Sequence, residues 1–261
     1  MKANYHTHTT RCQHAKGSDE DYVLSAIKAG YDELGFSDHA PWKYNSDFHP
    51  TMRMELSQFE DYKRSILSLK EKYKDQISIK LGLEVEYYEQ YMPWMKQFIK
   101  EQELDYIIFG NHFYETDENR FYYGSHIIDN QTMELYLNDA IKGMESGLYA
   151  YFAHPDLFMR SLRQWDALCD YAAHVICDKA KELDMILEYN IAGKMVSEQL
   201  GREQYPHHCF WEIAADTGCK AIVGMDAHDN LNLEKNEYYD NARAYLKKLG
   251  LEVVDTIQFL R

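Results

Sequence analysis

Short apolar runs alternate with amphipathic stretches along the 261-residue chain, and this alternation restricts the possible folds more than any other feature. The apolar runs predict strands at residues 4–8, 33–38, 77–84, 106–110, 149–153, 185–188 and 221–224. The stretches between them predict helices at residues 18–30, 57–74, 91–102, 131–147, 165–183, 206–218 and 237–250, because their apolar residues recur at helical spacing. Strands that alternate with helices favour parallel β/α units. Seven such units suit a closed or nearly closed barrel, with an open doubly wound sheet as the competing fold.

Capping residues support several of these predicted helices. Ser18 stands before three acidic residues, where its hydroxyl can accept a hydrogen bond from the first turn of a helix. Gly147, Gly218 and Gly250 follow predicted helices at the position where a left-handed residue commonly ends a helix. No linker rich in Pro or Gly divides the chain, so we expect a single domain over residues 1–261. In that domain, residues 253–260 form either an extra strand or a tail packed across the barrel.

Each of the seven predicted strands ends in His, Asp or Glu. Functional residues of β/α barrels lie at the C-terminal ends of the strands. The residues at these positions, including one in the first loop, are His6, His8, His14, Asp38, His39, Glu84, His112, His154, Asp156, Glu188, Asp226 and His228. His6 and His8 are two positions apart, so an extended backbone points both imidazoles to one face. Packing alone explains the full set poorly, since core strands end in Gly, Asn, Ser or Lys as readily.

Imidazoles and carboxylates together indicate a site for Zn²⁺, Mn²⁺ or Fe²⁺ rather than for Ca²⁺ or Mg²⁺. Seven of these histidines, with Glu84 and Asp226, are too many ligands for one ion and suit three. A carboxylate is the natural bridge between two ions, and Glu84 is therefore the expected shared ligand. Cys12 is close to the first histidines in sequence, but we expect it to be a bystander.

The charge of the chain limits its partners. Forty-three acidic and 28 basic residues give a formal net charge of −15, which weighs against binding to nucleic acid or to an anionic membrane. Bound cations can reverse the potential locally, so a small phosphorylated substrate remains compatible with this charge. The five cysteines include no C-x-x-C pair and predict free thiols. With no signal peptide and no membrane-length apolar run, a cytoplasmic location is expected; the sequence does not specify an oligomeric state.

At these strand ends the chain resembles the PHP (polymerase and histidinol phosphatase) family of metal-dependent phosphoesterases, and the resemblance covers nearly its whole length. The motifs that carry it are His6-Thr7-His8, His14, Ser37-Asp38-His39, Glu84, Gly110-Asn111-His112, Ala153-His154-Pro155 and Gly224-Met225-Asp226-Ala227-His228. The resemblance implies an α/β fold, a distorted (β/α)7 barrel with the metal site at the C-terminal ends of the strands. It also implies three divalent transition-metal ions. The implied ligands are His6, His8, Glu84 and Asp226 for the first ion, Glu84, His112 and His154 for the second, and His14, His39 and His228 for the third.

Within the family, local features resemble the histidinol-phosphate phosphatase branch. These features are Ser37-Asp38-His39-Ala40-Pro41, the segment from Ala153 to Phe158, and Glu188-Tyr189-Asn190 followed by Tyr205-Pro206. The implied activity is hydrolysis of L-histidinol phosphate in histidine biosynthesis. Three alternatives stay open: a phosphoesterase for another small phosphate ester or a nucleotide, a nuclease, and a metal-binding protein without catalysis.

Hydrolysis of a phosphate monoester needs strong stabilisation of charge, which clustered divalent ions supply. The predicted mechanism is direct attack by a metal-bound hydroxide, without a phosphoenzyme. Arg160 follows His154 by six residues and is the predicted ligand of the phosphoryl oxygens, since a guanidinium can donate two parallel hydrogen bonds. The alternatives for this role are Lys43, Arg53 and Lys194.

Other residues complete the predicted site. The proton donor for the leaving alkoxide is expected to be Asp226, His228 or a metal-bound water. Further substrate contacts are expected from Asn190, Lys43 and Tyr114. Asp38 is expected either to orient the ring of His39, since metal-binding histidines commonly donate their second N–H to a carboxylate, or to cap a turn. His207 and His208 match no ligand position of the family.

Overall fold

Eight strands and nine α-helices are described within residues 1–260 of the computed structural model. These residues divide into two compact units. Unit 1 comprises residues 1–108, 225–237 and 255–260, and unit 2 comprises residues 109–224 and 238–254. Within each unit the strands pair in parallel, as the alternation of strands and helices predicts.

Unit 1 is built on three strands that neighbour one another in sequence order. They are β1 (Ala3–Asn4), β2 (Glu33–Phe36) and β3 (Ser78–Val85). Ala3 lies opposite Glu33 in this register, and Leu34 lies opposite Ile79. The strands are followed by α1 (Asp19–Lys28), α2 (Phe59–Lys72) and α3 (Met92–Gln102). Ser18 caps α1 and forms a reciprocal pair of hydrogen bonds with Asp21, which confirms the predicted start of this helix.

Unit 2 contains the remaining strands, again in sequence order. They are β4 (Tyr106–Gly110), which begins in unit 1, β5 (Phe152–Ala153), β6 (Ile186–Asn190), β7 (Lys220–Gly224) and β8 (Glu252–Val253). The helices are α4 (Tyr123–His126), α5 (Asn130–Glu145), α6 (Ala167–Glu182), α7 (Ile191–Leu200), α8 (His208–Thr217) and α9 (Asn236–Lys248), of which the last begins in unit 1. The register places Phe152 opposite Phe109 and Leu187, and Ala221 opposite Leu187 and Val253.

A buried tyrosine fixes the end of β1 within unit 1. Tyr106 donates a hydrogen bond from its hydroxyl to the carbonyl of Tyr5 at 2.8 Å. Its ring occupies the space beside Gly35 and Gly82, where an added Cβ would lie 2.3 Å and 2.5 Å from tyrosine atoms. These two positions therefore require glycine. The packing holds the backbone immediately before His6 in one conformation.

The structure differs from the sequence prediction at several element boundaries. The first strand is regular only at Ala3–Asn4, and the chain beyond it makes an isolated parallel bridge between Thr7 and Ala227. Helix α7 was not predicted. Asn190 ends β6 and caps α7 by accepting the N–H of Gly193 at 2.8 Å, so the strand passes into the helix without a loop that the sequence could reveal.

The C-terminal segment combines both predicted alternatives. Glu252–Val253 forms the two-residue strand β8, and the tail beyond it packs within unit 1. There the ring of Phe259 lies 6.0 Å from that of Tyr5 and 6.4 Å from that of Tyr106. Within residues 1–260 we find no helix with the length and apolar character needed to cross a membrane.

Candidate metal centre

Seven of the nine predicted metal ligands lie together in unit 1, and we call them the ligand cluster. The members are His6, His8, His14, His39, Glu84, Asp226 and His228. The first two follow β1, His39 follows β2 and Glu84 lies in β3. The C-terminal ends of neighbouring parallel strands meet at one edge of a sheet, which brings these side chains together.

Backbone hydrogen bonds bring residues 225–228 to the end of β1. The N–H of His8 donates to the carbonyl of Ala227 at 3.0 Å, and the N–H of Ala227 donates to the carbonyl of His6 at 3.2 Å. Asn4 accepts the N–H of Met225 at 2.8 Å through its side-chain oxygen. Asp226 is thereby held between the two histidines. Its φ of 47° is in the left-handed region, which few residues other than glycine adopt.

The two carboxylates approach several imidazoles at distances that suit ligands of a shared ion. Asp226 Oδ1 lies 3.1 Å from His8 Nε2 and 3.5 Å from His6 Nε2. Glu84 Oε2 lies 3.4 Å from His6 Nε2, 3.6 Å from His8 Nε2 and 3.0 Å from His39 Nδ1. Two ligands of a tetrahedral zinc ion are about 3.3 Å apart, given bonds of about 2.0–2.1 Å. The donor atoms of the cluster therefore already have the spacing of a coordination sphere.

Stacked imidazoles form the outer part of the ligand cluster. The ring of His228 lies 4.0 Å from that of His8 and 4.5 Å from that of His14, and the rings of His14 and His39 are 5.6 Å apart. The buried Nε2 of His228 has no hydrogen-bond partner among residues 1–260. Ligand atoms of His8, His39 and His228 lie within 4.8 Å of one another. A cation bound among these nitrogens would satisfy them, so the residues fit the predicted transition-metal ions.

The electrostatics of the cluster couple metal binding to protons. Burial opposes protonation of His8, but the carboxylates of Asp226 and Asp38 outweigh it and raise the pKa to about 9. Burial, followed by the neighbouring ring of His228, lowers the pKa of His14 to about 4. Burial also opposes ionisation of Asp226, yet the surrounding histidines hold its pKa well below its usual value. A cation must displace the proton of His8, so metal affinity is expected to rise with pH.

Asp38 is fully buried in unit 1 and contacts two of the predicted ligands. It was expected to orient the ring of His39. Its Oδ1 accepts the backbone N–H of His39 at 2.9 Å and lies 3.5 Å from Nδ1 of His8, while Oδ2 accepts the hydroxyl of Thr9. Asp38 therefore supports the ring of His8. A sequence cannot distinguish these two partners, because both histidines are at strand ends.

Cys12 is a neighbour of the cluster, with its sulfur within 4.8 Å of ligand atoms of His14 and His228. Burial, followed by the charge of Asp38, raises the pKa of its thiol to about 12.

Arg53, one of the residues predicted to bind phosphate, is already occupied by other side chains. It is fully buried, and its guanidinium donates two hydrogen bonds to Glu86 at 2.9 Å and 2.7 Å and one to the carbonyl of Ala40 at 3.2 Å. The sequence suggested a cation at the strand-end surface. The structure instead shows a buried ion pair between Arg53 and Glu86, which follows the end of β3.

Unit 2 contains the other two predicted ligands, His112 and His154, as neighbours. Their ring centroids are 4.8 Å apart, and the two residues are 5% and 3% exposed. His154 has a φ of 36°, which again is left-handed. The fully buried Glu188 accepts the backbone N–H of His154 at 3.1 Å and the side-chain N–H of Asn190 at 2.9 Å. Glu188 therefore holds the strained backbone at His154.

Arg160 lies close to this histidine pair within unit 2. Its Nη1 donates to the hydroxyl of Tyr122 at 3.2 Å, and its guanidinium lies 5.5 Å from the centre of the same ring. The ring of Tyr122 is stacked with that of His112 at a centroid distance of 6.5 Å. Tyr122 thus places the guanidinium one side chain away from a predicted metal ligand, a relation that the sequence did not reveal.

The remaining predicted substrate residues have varied surroundings. The Asn190 side chain is occupied by the helix cap and by Glu188. The ring of Tyr114 packs edge-on against Phe121 at 6.0 Å, and Lys43 is exposed after β2. Lys194 lies on α7 and pairs with Glu198 at 3.6 Å. Their roles in substrate binding stay predictions.

Two residues that position the site were missed. Asn4 holds the end of β1 and residue 225 together, and Tyr122 positions Arg160. A signal existed only for the first, since asparagine is uncommon within strands and Asn4 stands two residues before His6 in the first predicted strand. Tyr122 is in an irregular loop, where no periodic pattern distinguishes it from the other 21 tyrosines.

Comparisons with known proteins give a consistent result. The chain is 27% identical to a protein of Deinococcus radiodurans named "probable histidinol-phosphatase", over 85% of each chain. It is 23% identical to a protein of the same name from Schizosaccharomyces pombe, over 96% of this chain and 88% of that one. A solved structure of histidinol phosphate phosphatase from Lactococcus lactis subsp. lactis, complexed with zinc, L-histidinol and phosphate, has a TM-score of 0.72. It is 20% identical, and the match covers 98% of this chain and 97% of that one.

The structural likeness confirms the fold class predicted from the strand and helix pattern. The family model described as "PHP domain" matches residues 4–192, which is well over half of the chain. The matched segment includes seven of the nine predicted ligands. The protein therefore belongs to the PHP domain family.

Proposed function

We propose that this protein is a metal-dependent phosphatase that hydrolyses L-histidinol phosphate to L-histidinol and inorganic phosphate. The observation that carries the proposal is the ligand cluster, in which two buried carboxylates lie 3.0–3.6 Å from imidazole nitrogens. The substrate is supported by the names of the similar proteins and by the L-histidinol and phosphate bound in the Lactococcus lactis structure.

In this proposal three ions of Zn, Mn or Fe bind to the protein. His6, His8, Glu84 and Asp226 would hold the first ion, and His14, His39 and His228 would hold another. For the remaining ion, unit 2 supplies the adjacent imidazoles of His112 and His154. When bound, such ions lower the pKa of water toward neutrality and neutralise charge on phosphoryl oxygens.

The side chains of the protein have separate roles around the reacting phosphate. The guanidinium of Arg160 would bind two phosphoryl oxygens, since its planar donors match their geometry. Asp38 would keep the ring of His8 in one orientation through the contact at Nδ1. Asp226 or His228 would protonate the leaving alkoxide; their side chains are 3.3 Å apart, so a proton can be held between them.

The charge and the cysteines support two further parts of the proposal. A net charge of −15 favours a small substrate over nucleic acid. The five cysteines form no disulfide within residues 1–260, which supports a reducing compartment, and we place the protein in the cytoplasm.

The proposal is tested by steady-state kinetics on L-histidinol phosphate with metal analysis of the same sample. We expect phosphate release from this ester to exceed that from nucleoside monophosphates by at least tenfold in kcat/KM. Glu84→Gln should remove both turnover and part of the bound metal, because the amide is a weaker ligand than a carboxylate. Full activity in this variant would refute the role of the cluster. A preference for nucleotides would keep the cluster and replace the substrate.

A further inference from the structure

A second group of metal-ligand side chains lies at the start of α8, in unit 2, and includes none of the predicted ligands. It consists of Glu203, His207, His208 and Cys209, and we call it the α8 cluster. One ligand atom from each of the three consecutive residues 207–209 lies within 4.8 Å of the other two. Three such side chains in sequence seldom converge by chance, because neighbouring residues at a helix start usually diverge around the axis.

His208 is oriented for ligation by a carboxylate. Glu203 Oε1 accepts the backbone N–H of His208 at 3.0 Å, and Oε2 lies 2.7 Å from Nδ1 of its ring. With Nδ1–H donated to the carboxylate, the lone pair of the ring is on Nε2. A carboxylate behind the imidazole is the usual support of a metal-binding histidine, and it increases the basicity of the ligand nitrogen.

Cys209 is at the correct distance to share an ion with this histidine. Its Sγ lies 3.3 Å from His208 Nε2. A sulfur and a nitrogen bound to one tetrahedral zinc ion are about 3.6 Å apart, given bonds of about 2.3 Å and 2.0–2.1 Å. The side chain of Cys209 is partly exposed and that of His208 is exposed, so an ion can reach both from solvent.

His207 is immobilised on the other side of the cluster. Its backbone N–H donates to the buried Asp156 at 2.7 Å, and its ring is stacked on Trp165 at 4.8 Å and on His208 at 4.7 Å. Its Nδ1 accepts the N–H of Cys209 at 3.3 Å, and its Nε2 lies 3.8 Å from Oε2 of Glu203. A ligand that is fixed before binding loses little conformational entropy when the ion arrives.

We infer that the α8 cluster is a second metal site, which binds one Zn²⁺ ion through Cys209, His208 and His207. Glu203 acts as the hydrogen-bond partner of the histidine ligand. One sulfur and two imidazole nitrogens suit zinc and its spectroscopic substitute Co²⁺ and are poor ligands for Mg²⁺ and Ca²⁺. Binding converts the Cys209 thiol to a thiolate and releases its proton to solvent. Three protein ligands leave a fourth position for water.

Cobalt distinguishes this site from the ligand cluster, because a thiolate bound to Co²⁺ gives a charge-transfer band in the near ultraviolet. We expect full-length wild-type protein that already holds its three predicted ions to develop this band on addition of one further equivalent of Co²⁺ per chain. Cys209→Ser should lack the band. Cys12→Ser is the matched control, since Cys12 neighbours the other histidines, and it should retain the band. A band that survives in Cys209→Ser, or that is lost in Cys12→Ser, would overturn the inference.

A milder substitution guards against a variant that fails to fold. Glu203→Gln keeps the size of the side chain and removes only the charge behind His208. Loss of such a carboxylate weakens metal binding by about 10–100-fold, which a competing chromophoric chelator can measure. Phosphatase activity need not change in this variant, so the result is independent of the proposed function. Cobalt affinity equal to that of the wild type, read from the same band, would exclude the predicted arrangement.

Discussion

The substitution Gly224→Ala tests how the backbone at the predicted ligand His154 is supported within unit 2. Gly224 ends β7 opposite Asn190, and a Cβ added at this position would lie 1.7 Å from Oε1 of Glu188. Gly224→Ala must therefore displace the Glu188 carboxylate. That carboxylate accepts hydrogen bonds from the backbone of His154 and the side chain of Asn190, at 3.1 Å and 2.9 Å.

The magnitude follows from these two hydrogen bonds. Each bond to a charged, buried group contributes about 1.5–3 kcal/mol, and partial relaxation leaves an expected loss of roughly 3 kcal/mol for the pair. In a chain of this size 1 kcal/mol corresponds to about 2–4 °C in Tm, so the expected decrease is roughly 6–12 °C. Because His154 is held less firmly, bound metal should decrease as well.

A double-mutant cycle measured by thermal unfolding separates this cause from general strain. In a Glu188→Ala background the clash is absent, so Gly224→Ala should cost less than about 1 kcal/mol there. The matched measurement is the Tm of all four proteins at one pH and metal concentration. An equal decrease in Tm in both backgrounds would show that the cost of Gly224→Ala does not pass through Glu188, and the reasoning would be refuted.

Two further predictions concern unit 2. Arg160→Lys should lower kcat/KM by about 100-fold with unchanged metal content, because an ammonium cannot donate two parallel hydrogen bonds to the phosphoryl group. Arg163→Lys is the control, since Arg163 is exposed. Equal kinetics of the two variants would contradict the role of Arg160. Burial raises the pKa of Asp139 to about 6, although the hydroxyl of Tyr123 opposes this by donating to it at 2.6 Å. A raised carboxyl pKa stabilises the folded protein at low pH, and this stability is lost as pH rises through about 6. Wild type should therefore lose ~2 kcal/mol relative to Asp139→Asn between pH 4 and pH 7, whereas parallel curves of Tm against pH would contradict the shift.

Much of the site was predictable because its candidate ligands are His, Asp and Glu residues at the ends of predicted strands. Apolar runs predict the strands, and the residue after each run predicts the ligand. Assigning His6, Glu84 and Asp226 to one ion required the resemblance to a family, since the strand-end pattern groups all the ligands without dividing them among ions. Helix α7 was not predicted because its N-cap residue, Asn190, is also the last residue of β6.

The partners of buried polar side chains could not be predicted in the same way. Arg53 was one candidate ligand of phosphate, and the structure pairs it with Glu86 in the interior of unit 1. Asp38 contacts His8 as well as its sequence neighbour. The α8 cluster likewise depends on Glu203, whose position beside His208 follows from the turn that begins α8.

The sequence by itself determined the parallel α/β class, the set of candidate metal-ligand residues and the negative charge of the chain. Periodicity and residue chemistry are local properties, so they can be identified from the sequence without any knowledge of the fold. Only the tertiary structure decided which carboxylate supports which imidazole, where Arg160 is held and that residues 207–209 converge. These relations depend on distances of a few ångströms between side chains, and packing sets such distances only after distant segments have come together.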